Sequence, residues 1–365
     1  MTLLAQELAE LIRQDGPISI SRYMALCLGH PGHGYYMKQD PFGADGDFTT
    51  APEISQIFGE LIGLWAAAVW QAMGAPASVR LVELGPGRGT LMQDMLRAAR
   101  ALPGFREALT VHLVETSPVL RERQRETLAS SGTTPHWCDR IEQALDGPAI
   151  VVANEFLDAL PLDQFVRTPE GWRERLVGLD DEGRLAFGLA AEVDGSLTVA
   201  APPGSVLEQP AAALEAVATI ARHVAAEGGA GLFIDYGSAR SGFGDTLQAL
   251  RRHACVDALA EPGDADLTVH VDFARMAQAG LAAGAVVHGV VTQRDFLLAL
   301  GLQQRFEALS RRATPVQAQT LASGVERLIE AGPTAMGELF KVLAVAERNL
   351  PLLPGFDLHR LPEQG

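Results

Sequence analysis

Residues 79–97, Val-Arg-Leu-Val-Glu-Leu-Gly-Pro-Gly-Arg-Gly-Thr-Leu-Met-Gln-Asp-Met-Leu-Arg, constrain the fold more than any other stretch of the chain. Leu81, Val82 and Leu84 make a short buried strand, and Thr90, Leu91, Met95 and Leu96 open an amphipathic helix. Between them Gly85, Gly87 and Gly89 allow a sharp turn and let a ligand come close to the main chain. The first N–H groups of such a helix have no intrahelical partner and face the turn. This is the joint of a βαβ unit, and it suits an adenosine-bearing cofactor. The spacing is G-x-G-x-G with Glu83 two residues ahead of it; alone, the motif is also compatible with a tight turn that holds nothing.

The chain around that joint repeats its rhythm. Strands at residues 111–115, 149–155 and 231–237, mostly apolar, and a short one at 134–137 alternate with helical segments, which predicts a parallel sheet covered on both faces. A strand at 285–292, a helix at 294–300 and a last strand at 339–346 complete it. Ahead of the joint lie helices at 3–13 and 20–28, the second capped by Ser19. A third begins at Pro52-Glu53 and runs through Leu61, Leu64, Trp65 and Val69, with Thr49 or Thr50 as its cap. Segments 164–167, 172–177 and 185–189, separated by turn residues, predict β-hairpins inserted between parallel strands. Residues 238–268 read as a long excursion over the sheet edge. The expected layout is an N-terminal helical and lid segment over 1–60, a core over 61–161 and 226–350, an inserted β-hairpin and helix region over 162–225, and a tail over 351–365.

Composition excludes several classes. The net charge of −16 disfavours non-specific binding to nucleic acid or to an anionic membrane. No run of about 18 apolar residues appears, so no membrane span is predicted. Three scattered cysteines form no disulfide framework, and Glu7, Glu10 and Asp15 are foreign to signal and transit peptides. A cytoplasmic location follows, or the mitochondrial matrix in a eukaryote. Cys27, His30 and His33 make a C-x2-H-x2-H run, but a structural zinc needs four ligands and no second cluster accompanies it, so no metal is expected.

In an open parallel sheet, ligands sit beyond the carboxyl ends of the strands. Here those ends carry Gly85 to Gly89, Glu115, Asn154-Glu155 and Asp235. A glycine turn after one strand and an acid after the next is the arrangement that binds adenosine, the acid accepting from both ribose hydroxyls. Pyridine dinucleotides prefer G-x-G-x-x-G with a pyrophosphate on the helix N-terminus. S-adenosyl-L-methionine has no phosphate, and its sites tolerate E-x-G-x-G, the form of Glu83 to Gly87.

Taken together, the segments 29–36, 46–60, 81–91, 154–161, 234–237 and 337–343 closely resemble the MidA-like methyltransferase family, whose mitochondrial members assist assembly of respiratory complex I. The resemblance covers the chain nearly end to end. It implies an α/β fold with a Rossmann-like class I methyltransferase sheet, S-adenosyl-L-methionine as cofactor with S-adenosyl-L-homocysteine as product, and N-methylation of a protein arginine, the protein being a complex I subunit. Glu155, Asn154, Asp47 and Asp235 are the candidate catalytic residues. Glu83, Gly85, Gly87, Gly89, Glu115 and Asn154 are the candidate cofactor contacts. They are joined by Asp139 near the adenine amino group and by Phe48, Thr49 and Glu53 from a lid. Two other functions stay open here: an assembly factor that binds the cofactor without essential methyl transfer, and a small-molecule methyltransferase.

Overall fold

A computed structural model describes residues 2–38, 50–251 and 254–357. Contacts divide the chain into two units, one of residues 1–48, 158–215 and 241–270, the other of 49–157, 216–240 and 271–365.

The second unit is built on the predicted sheet. Its main strands are β1 (Val79–Leu84), β2 (Leu109–Val114), β3 (His136–Cys138), β4 (Ala149–Asn154), β5 (Gly229–Ser238), β6 (Val286–Thr292) and β7 (Phe340–Ala346), and the two-residue strand Val271–Asp272 pairs with the end of β5. Their spatial order is β6-β7-β5-β4-β1-β2-β3. β7 runs antiparallel to both neighbours, and the strands from β5 to β3 run parallel. β4 is buried along its whole length, as a strand covered on both faces must be. The strand order reverses between β4 and β1, which makes their carboxyl ends the topological switch point.

Register fixes what meets there. Leu84 pairs with Val114 and with Ala153, Val114 with Cys138, and Asn154 with Ile234. The residues that follow, Gly85, Glu115, Asp139, Glu155 and Asp235, therefore emerge along one edge. The ladder holds them in line: Gly85 N–H donates to Val114 O at 3.0 Å, Glu115 N–H to Cys138 O at 3.0 Å, and Glu155 N–H to Ile234 O at 2.9 Å.

The helix expected to start at Pro52 is two helices, Ala51–Ile54 and Gln56–Ala72. Ser55 breaks it: its backbone is extended and its hydroxyl accepts from Ile57 N–H, restarting the helix one residue on. Gln56–Ala72 packs closely against Thr90–Ala99, the helix that follows the glycine turn. A Cβ on Gly59 would lie 2.5 Å from Asp94 Cβ, and one on Gly63 would lie 2.7 Å from Met95 Cα. Glu60, Asp94, Arg97 and Arg305 form an ion network beside that contact, with Arg97 Nε 2.9 Å and Arg305 Nε 2.7 Å from the two Glu60 oxygens. Helices Leu302–Ser310 and Pro315–Ile329, not foreseen from the sequence, also belong to this unit.

The first unit carries the inserted hairpins. Asp163–Arg167, Trp172–Leu179, Leu185–Leu189 and Val206–Gln209 are antiparallel, and the two-residue strand Ile18–Ser19 joins them by pairing with Leu176 and Val177. The stretch read as an excursion over the sheet edge is instead a three-stranded sheet of Gln248–Arg251, Ala254–Val256 and Asp266–Thr268, within this unit. Leu4, Leu8, Tyr23, Leu162, Val177 and Leu267 share its core. His30 and His33 stack at 5.4 Å, and both rings reach the Glu7 carboxylate, at 3.3 and 3.2 Å. Tyr36 donates to Asp266 at 2.8 Å, and burial together with Asp266 and Asp158 pushes its phenol well above the ordinary range.

Candidate active site

Gly85, Gly87 and Gly89 all take left-handed conformations, with φ of 58°, 51° and 81°. Other residues adopt such φ values at a cost, and at Gly85 a Cβ would also lie 2.9 Å from Phe156 Cδ2. Gly89 occupies the N-cap position of Thr90–Ala99 and offers no side chain to it, so the first helical N–H groups lack that partner. Glu83 lies under the turn. It is buried, one oxygen has no hydrogen-bond partner among the described residues, and burial raises its pKa well above the carboxylate range, offset in part by the Met92 N–H.

The acid after β2 is held from several sides. Glu115 Oε1 accepts from Ser117 N–H at 2.8 Å and Oε2 from the Gln124 amide at 3.2 Å. Burial raises its pKa, and these donors oppose the rise. Arg121 ties the neighbouring ends together, donating to Glu115 O at 2.7 Å, to Cys138 O at 3.2 Å and to Asp139 Oδ1 at 2.7 Å. Asp139 is exposed, so its carboxylate meets both Arg121 and solvent.

Past β4 the chain turns on a non-glycine residue in the left-handed region, Glu155 with φ of 49°. Strain of this kind costs on the order of 1–3 kcal/mol and persists only where the surroundings enforce it. They do so here. Asp235 Oδ2 accepts from Phe156 and Leu157 N–H at 3.2 and 3.0 Å, while its Oδ1 accepts from Tyr236 N–H at 2.9 Å. Glu155 Oε1 accepts from the Asn154 amide at 3.1 Å and from Ala51 N–H at 3.3 Å. Thr50, the expected cap of that helix, makes no side-chain capping bond, and Glu155 takes its place. Asn154 is buried, and its Oδ1 has no partner among the described residues. One turn further, Glu53 accepts from the Thr90 hydroxyl at the start of the glycine-turn helix.

The structure thus gathers Glu83, Gly85, Gly87, Gly89, Glu115, Asp139, Asn154, Glu155, Asp235 and Glu53 in one unit; all but Glu83, Glu53 and Asp235 follow or end a strand at one edge, and Asp235 lies inside β5. Asp47, Phe48 and Thr49 lie outside the described residues. Gln124, Arg121 and Phe156 were missed from the sequence. Gln124 had a signal: it lies between Leu120 and Leu128 at four-residue spacing, a polar side chain in the apolar stripe of an otherwise charged helix.

Residues 61–291 match the family model described as "Putative S-adenosyl-L-methionine-dependent methyltransferase". The chain is 38% identical to "Protein arginine methyltransferase NDUFAF7, mitochondrial" of Danio rerio, over 94% of this chain and 86% of that protein. With the Homo sapiens protein of the same name it is 34% identical, over 94% and 83%. A crystal structure from Burkholderia thailandensis bound to S-adenosyl-homocysteine superposes with a TM-score of 0.82 at 32% identity, covering 96% of this chain and 93% of that one.

Proposed function

Because the chain belongs to the S-adenosyl-L-methionine-dependent methyltransferase family that residues 61–291 match, we propose that it transfers a methyl group from this cofactor to an arginine side chain of a protein. The relatives' names support the arginine target. The observation in the fold that carries the reading is Glu155, a carboxylate forced into a left-handed backbone at the switch-point edge and braced by Asn154 and Ala51.

The strand ends suit the cofactor. Three left-handed glycines leave positions 85, 87 and 89 of the turn without Cβ atoms, below a helix N-terminus without a side-chain cap. Two buried oxygens, Glu83 Oε2 and Asn154 Oδ1, have no hydrogen-bond partner among the described residues. Glu115 keeps acceptor capacity for the ribose hydroxyls, and Asp139 lies one strand over for the adenine amino group. When bound, the cofactor supplies an electrophilic methyl group on a positively charged sulfur.

The residues of the chain prepare the acceptor. A guanidinium that keeps all its protons is a poor nucleophile. In this reading Glu155 accepts from its N–H groups, holds one nitrogen toward the methyl group that the cofactor would supply, and takes up the proton that this nitrogen loses. Asn154 bonds to Glu155 and fixes the rotation of its carboxylate. Asp235 acts behind them as a positioning residue, since three backbone N–H groups engage its oxygens. The complex I subunit implied by the resemblance is the acceptor within this proposal, in the cytoplasm of a bacterium or the matrix of a mitochondrion. Among the described residues no helix is long and apolar enough to cross a membrane.

The test is transfer of a tritiated methyl group to purified complex I subunits, followed by acid hydrolysis and amino-acid analysis. The expected product is methylated arginine, formed by the wild type and not by Glu155→Gln. Tight binding of S-adenosyl-homocysteine with no transfer to any guanidine would overturn the arginine reading and favour the assembly-factor role.

A further inference from the structure

We propose that Gln124 is a positioning residue for the cofactor: its side-chain amide sets the Glu115 carboxylate for the ribose hydroxyls, and Trp137 locks that amide in its one productive orientation. The inference rests on the reading of Glu115 as the ribose acceptor.

Gln124 is completely buried on Pro118–Leu128. Burying an amide is costly unless its hydrogen bonds are made inside the protein. Here they are. Nε2 donates to Gly87 O at 2.8 Å and to Glu115 Oε2 at 3.2 Å, and Oε1 accepts from Trp137 Nε1 at 2.8 Å. One side chain thus joins the glycine turn after β1, the acid after β2 and the tryptophan of β3.

The amide has two ends, and the partners distinguish them. An indole N–H can only donate, so the oxygen must face Trp137. Gly87 O and the Glu115 carboxylate only accept, so the NH2 group must face them. A flipped amide would set its oxygen against two acceptors and its hydrogens against a donor. The indole ring is itself held, with the Arg125 guanidinium 4.7 Å above it.

The consequence falls on Glu115. Ser117 N–H holds one of its oxygens and Gln124 the other, so the carboxylate plane cannot swing. The remaining acceptor directions are fixed in space, as recognition of two vicinal hydroxyls requires. Gln124 also offsets the burial that raises the Glu115 pKa, and so favours the ionised form. Its contact with Gly87 O couples the ribose acid to the turn, so both parts of the site hold one register.

The full chain is tested by titration with S-adenosyl-homocysteine and with its 2′-deoxy analogue, for the wild type, Glu115→Gln, Gln124→Leu and the double variant. The wild type should prefer the ribose form by about tenfold or more. Gln124→Leu should lose most of that preference, and the double variant should lose no more than Glu115→Gln alone. Equal weakening toward both ligands, or a preference unchanged in Gln124→Leu while Glu115→Gln abolishes it, overturns the role of Gln124 and leaves the ribose reading standing. A preference unchanged in Glu115→Gln overturns the ribose reading and this inference with it. Should Gln124→Leu fail to fold, Trp137→Phe removes the lock alone, and it should cut the preference about threefold with the melting temperature nearly unchanged; an undiminished preference there overturns the lock.

Discussion

The backbone N–H of Ala51 donates to Glu155 Oε1 across 3.3 Å, so a carboxylate 104 residues further along the chain caps the helix Ala51–Ile54. Helix N-termini favour negative charge, and an oxygen on the first N–H groups satisfies donors that the helix leaves open. Residue 155 thus has two tasks. It stabilises the segment that carries Glu53, and it presents its charge at the edge where the strands end.

Those tasks are separable by substitution. Glu155→Gln keeps an oxygen for Ala51 and the same volume, so the fold and the affinity for S-adenosyl-homocysteine should stay within about threefold of wild type. Methyl transfer should fall by about a hundredfold or more, because the negative charge that takes the proton is gone. Single-turnover transfer and calorimetric titration on the same preparation check both halves.

Asp235→Asn should behave differently. An amide cannot offer two accepting ends, so its NH2 group confronts backbone N–H groups of Phe156, Leu157 or Tyr236. Loss of about 2–4 kcal/mol of stability is expected in urea denaturation, since buried donors lose their acceptor and the left-handed turn at Glu155 loses its brace. A variant as stable as wild type would contradict the positioning role.

The glycines differ in what they tolerate. Gly85→Ala meets both a left-handed φ and the Phe156 ring at 2.9 Å, whereas Gly89→Ala meets only the φ, its nearest neighbour being Gln124 at 3.5 Å. Cofactor affinity should therefore fall further in Gly85→Ala, and Phe156→Leu should restore part of it. Dissociation constants for the two single variants and the Gly85→Ala, Phe156→Leu double variant decide the matter.

Burial pushes the Asp94 carboxyl from the ordinary 3.8 up to about 7, against the pull of Arg97. The folded chain then keeps this proton up to about pH 7, while the unfolded chain releases it near pH 4. Stability from this group is therefore complete at low pH and is lost as pH rises toward 7. Asp94→Asn cannot ionise, so its stability relative to wild type should climb by about 2–4 kcal/mol between pH 4 and pH 8. Melting curves across that range measure the difference, and a flat difference would refute the shift.

What the sequence made legible followed from strong periodicity. The parallel strands are mostly apolar runs, and the polar residues that close them are the site residues, so sheet and site came from one pattern. The break at Ser55 left no such trace, because Pro52 and Glu53 start a helix equally well whether or not it restarts four residues later. The sheet within 248–268 was hidden for a related reason. Its strands have three or four residues, too few for alternation to show. The Ile18–Ser19 strand exists only through its pairing with Leu176 and Val177, a long-range fact no local window contains. Gln124 was visible as an anomaly, but its three partners come from two strand connections and a third strand, far apart in sequence.

The direction of β7 bears on how the molecule can be handled. Ala346 pairs with Ala230 and Val286, at the starting ends of β5 and β6, while Phe340 pairs with Tyr236 near the finishing end. The chain therefore leaves its last strand at the rim of the sheet opposite the glycine turn. The chain does not stay at that rim: Phe356 packs against His288 of β6 and Phe296 of the next helix, so a surface tether joined after Asp357 would start beside these rings and not from the end of β7.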